Sequence, residues 1–528
     1  MKNRFLIINS WPLALLLTIA ACTKRGPELS ILNQGEFRDT SMALKDAADF
    51  PIGAAVNYNS LAGNTLYKTV ALRDFNSFTL ENEMKHGSVV QSNGTLNFTN
   101  ADAAIAALGQ GARIFGHVLG WHSQQNASYI KEYAGITLPA PAELATGGDF
   151  ENGSNNGSWG AWNGGASVTF LTDGAESHTG NGYMKVISAG GNYWDRQVAS
   201  PVITTTTGKE YLVSFWIKAA TAGGVVRLST NSANGAQYQG DQTIGTAWQK
   251  VSWSITANGA EMRIMFDMGK TANTYYVDDV SVTESIVAPG GAAIAAKVDE
   301  LLSTYISGMV THFKGKVYAW DVINEILTDG GQIRNNSNTD ASASGIFVWS
   351  EYLGKDFALK AFNYAKTADP TADLYINDYN LESSTAKTDS LVSLINYLKS
   401  NGAKVDGIGT QMHISRTTSK GGIDRMFQKL AATGLKVRIS ELDILSVGNS
   451  AAGGRTDLLD TYQAEMYYYV VRSYIKNIPA TQRSGITVWG IQDAGSWRYN
   501  NGKEFPLLYD NSFARKQAYA AVLKALKE

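Results

Sequence analysis

The feature that most constrains this 528-residue chain is a regular alternation of short β-rich runs with amphipathic helical stretches. Because a strand followed by a helix implies parallel strands joined by crossover helices, eight such units favour a closed barrel over an open sheet. We therefore predict an α/β fold of the (β/α)8 TIM barrel type. Its eight predicted strands are 52–57, 78–84, 113–122, 317–325, 374–380, 407–414, 437–444 and 486–493.

One interval breaks this rhythm. Between Gln124 and Ala293 the chain is rich in Gly, Asn, Thr and Ser, and strand-like alternation replaces helical periodicity. Several short strands separated by turn residues predict an antiparallel β-sandwich. The predicted domains are 46–142 and 288–528 for the barrel and 143–287 for a sandwich inserted after the third barrel strand. Loops that follow barrel strands lie on the face that carries active sites.

The N-terminus has the pattern of an export signal. Lys2 and Arg4 precede an apolar run that is too short and too interrupted for a membrane span of about 20 residues. The run ends at Cys22, the only cysteine of the chain, and resembles a bacterial lipobox. We predict a lipoprotein signal peptide at 1–22, a polar linker at 23–45 and lipidation of Cys22. The protein would then be exported and held at the bacterial cell envelope or outer surface, touching the membrane only through this anchor; an ordinary signal peptide is the alternative.

Charge excludes one class of partner. The formal net charge is −2, from 45 basic and 47 acidic residues, so no bulk attraction to nucleic acid is expected. A neutral partner is compatible with this balance.

Polar and aromatic residues gather where the predicted barrel strands end. Because those ends meet at one mouth, they predict a binding cleft there. The residues, in chain order, are Glu81, Asn82, Lys85, His117, Trp121, Asp321, Asn324, Glu325, Tyr379, Gln411, His413, Glu441, Asp443, Trp489 and Trp497.

Two of these glutamates, Glu325 and Glu441, would face each other across the mouth. Glycoside hydrolysis needs two carboxyl groups that flank the bond to be cut, one to donate a proton and one to capture the sugar. We expect His413, Gln411 and Asn324 to hold Glu441 ionised. We expect aromatic side chains to let Glu325 keep its proton longer, with Asp321 helping to tune it.

Six motifs in order resemble glycoside hydrolase family 10, a family of retaining endo-β-1,4-xylanases built on this barrel. They are E-N-E-M-K at 81–85, G-H-V-L-G-W-H at 116–122, W-D-V-I-N-E at 320–325, Q-M-H at 411–413, I-S-E-L-D at 439–443 and W-G-I-Q-D-A-G-S-W at 489–497. His86 departs from the family, in which a tryptophan is frequent at this position, and Gly120 stands where a bulkier residue is common.

The resemblance implies a role for each matching residue. Glu325 matches the acid/base, Glu441 the nucleophile, and His413 with Asp443 behind it the group that orients the nucleophile. Xylan and xylo-oligosaccharides are the implied partners, with no cofactor for catalysis. The implied substrate-binding residues are Glu81, Asn82, Lys85, His117, Trp121, Asn324, Gln411, His413, Trp489 and Trp497, with Asp321, Asp443 and Tyr379 in support.

The inserted segment is similar to carbohydrate-binding modules of the family 4 and family 9-like kind. The similarity lies in G-G-D-F-E-N-G at 147–153, L-V-S-F-W-I-K at 212–218 and Y-Y-V-D-D-V-S-V at 275–282. It implies a glycan-binding sandwich of the jelly-roll type, often with a structural calcium, for which Asp149, Glu151 and Asp279 are candidate ligands or else simple surface carboxylates. Trp216 is assigned to the core. The candidate sugar platforms are Trp159, Trp162, Tyr193, Trp194 and Tyr238.

Other functions stay open at this point. The barrel could be a β-1,4-glucanase or an enzyme of mixed specificity, because discrimination depends on space for the C6 hydroxymethyl group. It could also be a non-catalytic glycan-binding lipoprotein, although the presence of both carboxylates favours an enzyme. Metal catalysis through His117 and His122 is disfavoured by their spacing. Trp320 is expected to be structural despite its motif.

Overall fold

The structure is a computed structural model that describes residues 36–137, 141–164, 167–285, 290–447 and 455–528. The predicted signal peptide, Cys22 and the first part of the predicted linker lie outside the described residues. Within the described ranges, no helix is both long and apolar enough to cross a membrane.

The first part of the chain forms three parallel strands and five helices. Asparagine side chains cap the N-termini of three of these helices. Asn57, Asn64 and Asn126 each accept a hydrogen bond from a backbone N–H of the first turn. The elements are β1 (Ile52–Val56), α1 (Tyr58–Gly63), α2 (Thr65–Asp74), β2 (Ser77–Leu80), α3 (His86–Val89), α4 (Thr99–Leu108), β3 (Arg113–Gly120) and α5 (Ala127–Tyr133).

The middle of the chain is an antiparallel sandwich of two sheets, as predicted. One sheet has the order β11-β10-β13-β7-β4 with β8 paired to β13, and the other has the order β12-β9-β14-β6-β5. They enclose an apolar core of their own, around Phe215 and Phe266. The strands are β4 (Gly160–Asn163), β5 (Val168–Leu171), β6 (Tyr183–Ala189), β7 (Gln197–Ala199), β8 (Ile203–Thr204), β9 (Glu210–Ala219), β10 (Gly224–Asn231), β11 (Tyr238–Ile244), β12 (Gln249–Thr256), β13 (Glu261–Asp267) and β14 (Ala272–Glu284).

The last part of the chain returns to alternating strands and helices. Its elements are α6 (Gly291–His312), β15 (Val317–Asn324), α7 (Trp349–Leu353), α8 (Asp356–Ala368), β16 (Asp373–Asp378), α9 (Thr385–Ser400), β17 (Gly407–Thr410), β18 (His413–Ser415), α10 (Lys420–Ala431), β19 (Lys436–Leu445), α11 (Asp457–Asn477), β20 (Arg483–Val488) and α12 (Gln517–Lys527).

The parallel strands close on themselves in the order β1-β2-β3-β15-β16-β17-β19-β20, with β20 pairing back to β1. The predicted (β/α)8 barrel is therefore confirmed. Its closure depends on β3 pairing with β15 across the insertion. Trp320 packs against Gly116 at this junction, where a Cβ atom would lie 2.2 Å from the indole. Trp320 is thus buried and structural, as expected.

The sandwich is attached between α5 and α6, on the side of the barrel where strands end. The two flanking helices are tied together, because Lys297 of α6 donates to the carbonyl of Tyr133 in α5 at 3.1 Å. Lys131 of α5 donates to the carbonyl of Ala341, in the loop that follows β15. The barrel helices on either side of the insertion are therefore in contact with each other, and α5 also contacts the loop that follows β15.

The end of the predicted linker is part of the barrel domain. Phe37 is 5% exposed against Tyr468 of α11, and Leu44 is fully buried. Lys524 and Lys527 of α12 pair with Glu36 and Asp39. The few apolar residues of this polar stretch show no helical or strand periodicity, which is why the sequence assigned residues 36–45 to the linker.

Candidate active site

A cleft of about 530 Å³ opens at the ends of the barrel strands. It is lined by Glu325 and Glu441, by every residue assigned to substrate binding and by Tyr379. Asp321 and Asp443 lie behind it. Three further residues line the cleft that the sequence did not single out as site residues, namely Gln124, Asn380 and Arg498.

Glu325 follows β15 with both carboxylate oxygens in hydrogen bonds. The indole N–H of Trp121 donates to Oε2 at 2.9 Å, and the amide of Gln411 donates to Oε1 at 2.9 Å. The backbone of Glu325 has φ of +52°, which is uncommon for a residue with a side chain and tends to occur at functional sites. Its carboxyl group is thus held in a fixed direction at the edge of the cleft.

Glu441 lies in β19 and is 5% exposed. Asn377 donates to its Oε1 at 2.8 Å, and the Nε2 of His413 lies 3.2 Å from its Oε2. Burial acts to raise the pKa of this carboxyl. The hydrogen bond from His413, the electrostatic effect of His117 and His413, and the hydrogen bond from Asn377 together outweigh burial, and the pKa lies below its ordinary value. Glu441 is therefore a carboxylate at neutral pH.

Amide side chains connect the two carboxyl groups. The Oδ1 of Asn324 accepts from Gln411 at 3.2 Å and from Asn377 at 3.0 Å, and these two amides bind Glu325 and Glu441 respectively. The prediction that Gln411 and Asn324 hold Glu441 is wrong in this respect. Asn377, which the sequence placed at a strand end without a role, supplies that bond because β16 brings it beside Glu441.

A series of hydrogen-bonded charged side chains lies behind Glu441. The Nδ1 of His413 lies 2.9 Å from Asp443, which also accepts from Trp497 at 3.1 Å and from Arg498 at 2.5 Å. Burial lowers the pKa of His413, but the Asp443 and Glu441 carboxylates outweigh it and raise that pKa to about 10. His413 is therefore an imidazolium that faces Glu441.

Asp321 acts on a different partner from the one predicted. It was expected near Glu325, but its Oδ2 lies 2.9 Å from the Nδ1 of His117. Both side chains are buried, and burial raises the pKa of Asp321 despite the hydrogen bond. The ring of His117 meets the indole of Trp489 edge-on at 5.4 Å. Asp321 thus fixes a residue of the cleft wall.

One wall of the cleft combines charge with aromatic surface. Lys85 donates to Asn82 at 3.2 Å, and its ammonium lies 5.3 Å from the ring centre of Trp121. Burial, together with the nearby Glu83, raises the pKa of Glu81 to about 7. Trp497, beside His413, is 67% exposed and adds a flat apolar face to the cleft. Such a wall offers hydrogen bonds to hydroxyl groups and stacking to sugar C–H surfaces.

The sandwich carries a second group of aromatic residues on the sheet that contains β10. The guanidinium of Arg227 lies 4.1 Å from the ring centre of Tyr193 and 4.5 Å from that of Tyr238, and it pairs with the buried Asp267 at 2.8 Å. Tyr238 is 59% exposed, and Trp194 beside Tyr193 is also exposed. We call Tyr193, Trp194, Arg227 and Tyr238 the aromatic face.

Two tryptophans of the sandwich were assigned wrongly. Trp159, a candidate platform, is 4% exposed and packs on Phe150 in the core. Trp216, assigned to the core, is half-buried. It stacks on His178, with 4.0 Å between the two ring centres. Trp162 is exposed, as a platform would be.

The three candidate calcium ligands do not form one site. Asp149 and Asp279 line one shallow depression, but Glu151 accepts hydrogen bonds from the backbone N–H groups of Asn181 and Gly182. Asp279 is engaged by His178 and Thr179. In the part of the chain that the structure describes, no group of three metal-ligating side chains is placed to hold an ion.

Two family models match the chain. The model for glycosyl hydrolase family 10 matches residues 41–140 and 284–525, which is more than half of the chain. A model described as a carbohydrate binding domain matches residues 142–273, between the two barrel segments.

Several proteins of similar sequence are named as xylanases or as an exoglucanase. Endo-1,4-beta-xylanase A of Cellvibrio japonicus is 36% identical over 239 residues, which cover 42% of this chain and 39% of that protein. Endo-1,4-beta-xylanase 1 of Humicola insolens is 34% identical, covering 43% and 50%. Exoglucanase XynX of Acetivibrio thermocellus is 33% identical, covering 42% and 19%. The matched part of the chain therefore spans half or less of these relatives' lengths.

Solved structures share the fold. A GH10 structure from Paenibacillus barcinonensis has a TM-score of 0.56 at 20% identity, covering 91% of this chain and 96% of that one. Native xylanase 10B from Thermotoga maritima has a TM-score of 0.55 at 21% identity, covering 92% and 98%.

Proposed function

The chain belongs to glycosyl hydrolase family 10, and on that premise we propose that it is a retaining endo-1,4-β-xylanase that cuts internal bonds of xylan. The observation that carries this proposal is the pair of carboxyl groups in one cleft, with Glu441 held ionised by His413 and Asn377. Relatives named endo-1,4-beta-xylanase support the choice of substrate.

The reaction would proceed in two steps. Glu441 attacks the anomeric carbon while Glu325 gives a proton to the leaving oxygen, and a covalent glycosyl-enzyme forms. Glu325 then removes a proton from water, which attacks the same carbon and restores Glu441. A retaining reaction of this kind requires the two carboxyl groups to lie about 5–5.5 Å apart.

The residues of the chain would divide this work. Asn377 and His413 keep Glu441 ionised until it attacks. Asp443 holds the ring of His413 in the orientation in which it faces Glu441. Trp121 and Gln411 direct the carboxyl of Glu325. Glu81, Asn82, Lys85 and the tryptophans of the cleft wall would bind the xylose units on the non-reducing side of the bond that is cut.

A β-1,4-glucanase or an enzyme of mixed specificity is the second candidate. It is favoured by the similarity to a protein named Exoglucanase XynX. The two candidates differ in whether a C6 hydroxymethyl group is accepted beside Glu441.

For the sandwich, we propose that the aromatic face binds the same polymer. Exposed rings beside Asp241 and the Arg227–Asp267 pair suit a neutral sugar chain. Holding the polymer next to the mouth would raise its effective concentration at the cleft.

For the N-terminus, we propose that Cys22 is lipidated and anchors the exported enzyme at the bacterial cell surface. Incorporation of labelled fatty acid into the wild-type protein, and its loss in Cys22→Ser, would support this anchor. Equal labelling of both would contradict it.

The test of the enzymatic proposal is direct. The purified protein is incubated with xylan, cellulose and mixed-linkage glucan, and products are identified by chromatography and their anomeric form by NMR. We expect short β-linked xylo-oligosaccharides with retained configuration. Products from glucans alone would support the second candidate, and no product from any polymer would leave a non-catalytic binding lipoprotein.

A further inference from the structure

The backbone of Glu325 needs support from both sides. Its φ of +52° places a side-chain-bearing residue in a region that usually favours glycine, and such a conformation persists only when its surroundings fix it. The N–H of Glu325 donates to the carbonyl of Asn377 in β16 at 2.9 Å. The carbonyl of Glu325 accepts from the Nε of Arg334 at 2.8 Å. One neighbouring strand and one arginine therefore hold the peptide groups on either side of the carboxyl.

Arg334 is itself held in place. Its backbone N–H donates to the carbonyl of Ile326 at 3.0 Å, and its own carbonyl accepts from the hydroxyl of Ser350 at 2.5 Å. Its Nη2 donates to the hydroxyl of Tyr379 at 2.9 Å. Tyr379 lines the cleft, so the guanidinium connects a cleft wall with the backbone of Glu325. A planar guanidinium can serve two acceptors in fixed directions, which an ammonium cannot.

We propose that Arg334 is a positioning residue for Glu325, setting the direction of its carboxyl through the backbone carbonyl and through Tyr379. This inference rests on the proposed role of Glu325 as the acid/base. Arg334 does not line the main cleft; it borders a small cavity behind Glu325. Its effect therefore reaches the substrate through Glu325 and Tyr379. A displaced acid loses proton transfer steeply with distance, by about 10²-fold for a shift of about 1 Å.

The test uses aryl β-xylobiosides whose leaving groups range from 2,4-dinitrophenol to phenol. A good leaving group needs little protonation, so only poor leaving groups report on the acid. For Arg334→Met we expect kcat/KM to fall by about 10²-fold with phenyl β-xylobioside and by less than about threefold with the dinitrophenyl compound. Arg334→Lys keeps the positive charge but not the planar guanidinium. We expect its kcat/KM to fall with the same preference for poor leaving groups, but by a smaller factor.

Arg416→Met is the matched control. Arg416 is also half-buried, and its Nε donates to the carbonyl of Ser446 at 2.7 Å, but it does not line the cleft. We expect Arg416→Met to leave the dependence on the leaving group unchanged. Thermal unfolding identifies any variant that does not fold, in which case Arg334→Lys decides.

The two possible failures are distinguishable. Suppose that the wild type cleaves aryl β-xylobiosides. The positioning role is then overturned if kcat/KM of the Arg334 variants falls equally for all leaving groups, or falls for none. If the wild type cleaves no β-xyloside at all, the proposed function is overturned, and this inference with it.

Discussion

The mouth of the barrel and the aromatic face of the sandwich use similar residues in opposite ways. At the mouth the charged groups are buried and linked, so that Glu441, His413, Asp443 and Arg498 form one alternating series. On the sandwich, Arg227 and Asp267 form a closed pair, and the aromatic rings around them face solvent.

The difference follows from what each site has to do. A site that moves protons needs groups whose charge states depend on one another, and this requires burial. A site that only holds a neutral chain needs flat surfaces and a few hydrogen bonds. Changes at the mouth should therefore alter turnover and its pH dependence, whereas changes on the aromatic face should alter only binding.

The largest effect is expected for Glu441→Ala. Without the nucleophile, kcat should fall by at least about 10⁴-fold on every substrate, including those with good leaving groups. Binding to insoluble xylan should stay unchanged, because the sandwich is untouched. Residual turnover within about tenfold of the wild type would show that another group acts as the nucleophile.

Glu325→Ala should be more selective. We expect xylan hydrolysis to fall by about 10²–10⁴-fold, because the leaving oxygen is no longer protonated. Formation of the glycosyl-enzyme from a dinitrophenyl β-xylobioside should be nearly unaffected, as pre-steady-state kinetics can measure. Equal losses on both substrates would argue against Glu325 as the acid.

His413→Ala should move the pH profile. In the wild type the lowered pKa of Glu441 preserves the nucleophile at acidic pH, and removal of His413 removes a hydrogen bond that lowers that pKa. The acid limb of kcat/KM should therefore move to higher pH by about one unit or more. An unchanged acid limb would mean that the remaining neighbours, His117 and Asn377, are sufficient to keep Glu441 ionised.

The same histidine also links stability to pH. Because the pKa of His413 is raised to about 10 in the folded protein, its ion pairs contribute fully below about pH 6.5 and are lost as the pH rises towards 10. His413→Ala should lose less stability than the wild type between these pH values, as thermal unfolding would record.

The smallest effect on turnover is expected on the aromatic face. Trp194→Ala combined with Tyr238→Ala should weaken binding to insoluble xylan roughly tenfold while hydrolysis of aryl β-xylobiosides is unchanged. Trp248→Ala is the matched control, since Trp248 is half-exposed beside Lys218, whose strand belongs to the other sheet. A loss of turnover in the double variant would show that the two sites are not independent.

The sequence predicts the barrel well because its signal is repeated eight times. The signal is weaker in the sandwich. Strands β4, β7 and β8 have only two to four residues and β11 is an exposed polar run, so none of them shows a clear alternation in the sequence. The sixth barrel strand was predicted as continuous, but it is broken into β17 and β18 by Met412, whose φ is +61°.

Most members of the candidate site were predictable, but the hydrogen bonds between them were not. Strand ends identify which side chains reach the mouth, because all parallel strands end there. Whether Gln411 or Asn377 binds Glu441 depends on the register between neighbouring strands, which no sequence pattern encodes. Trp216 is different: Val213, Phe215 and Ile217 of β9 are buried, so strict alternation would have placed Trp216 on the outer face.

The pairing of β3 with β15 has a consequence for the order of events during synthesis. The ribosome releases the first three barrel strands, then the whole sandwich, and only then the strand that β3 needs as its neighbour. The sandwich can complete its own core in that interval, whereas the three barrel strands made first have an open sheet edge throughout it. A chain truncated near residue 300 and released from the ribosome should therefore yield a protease-resistant central fragment and a digestible N-terminal part.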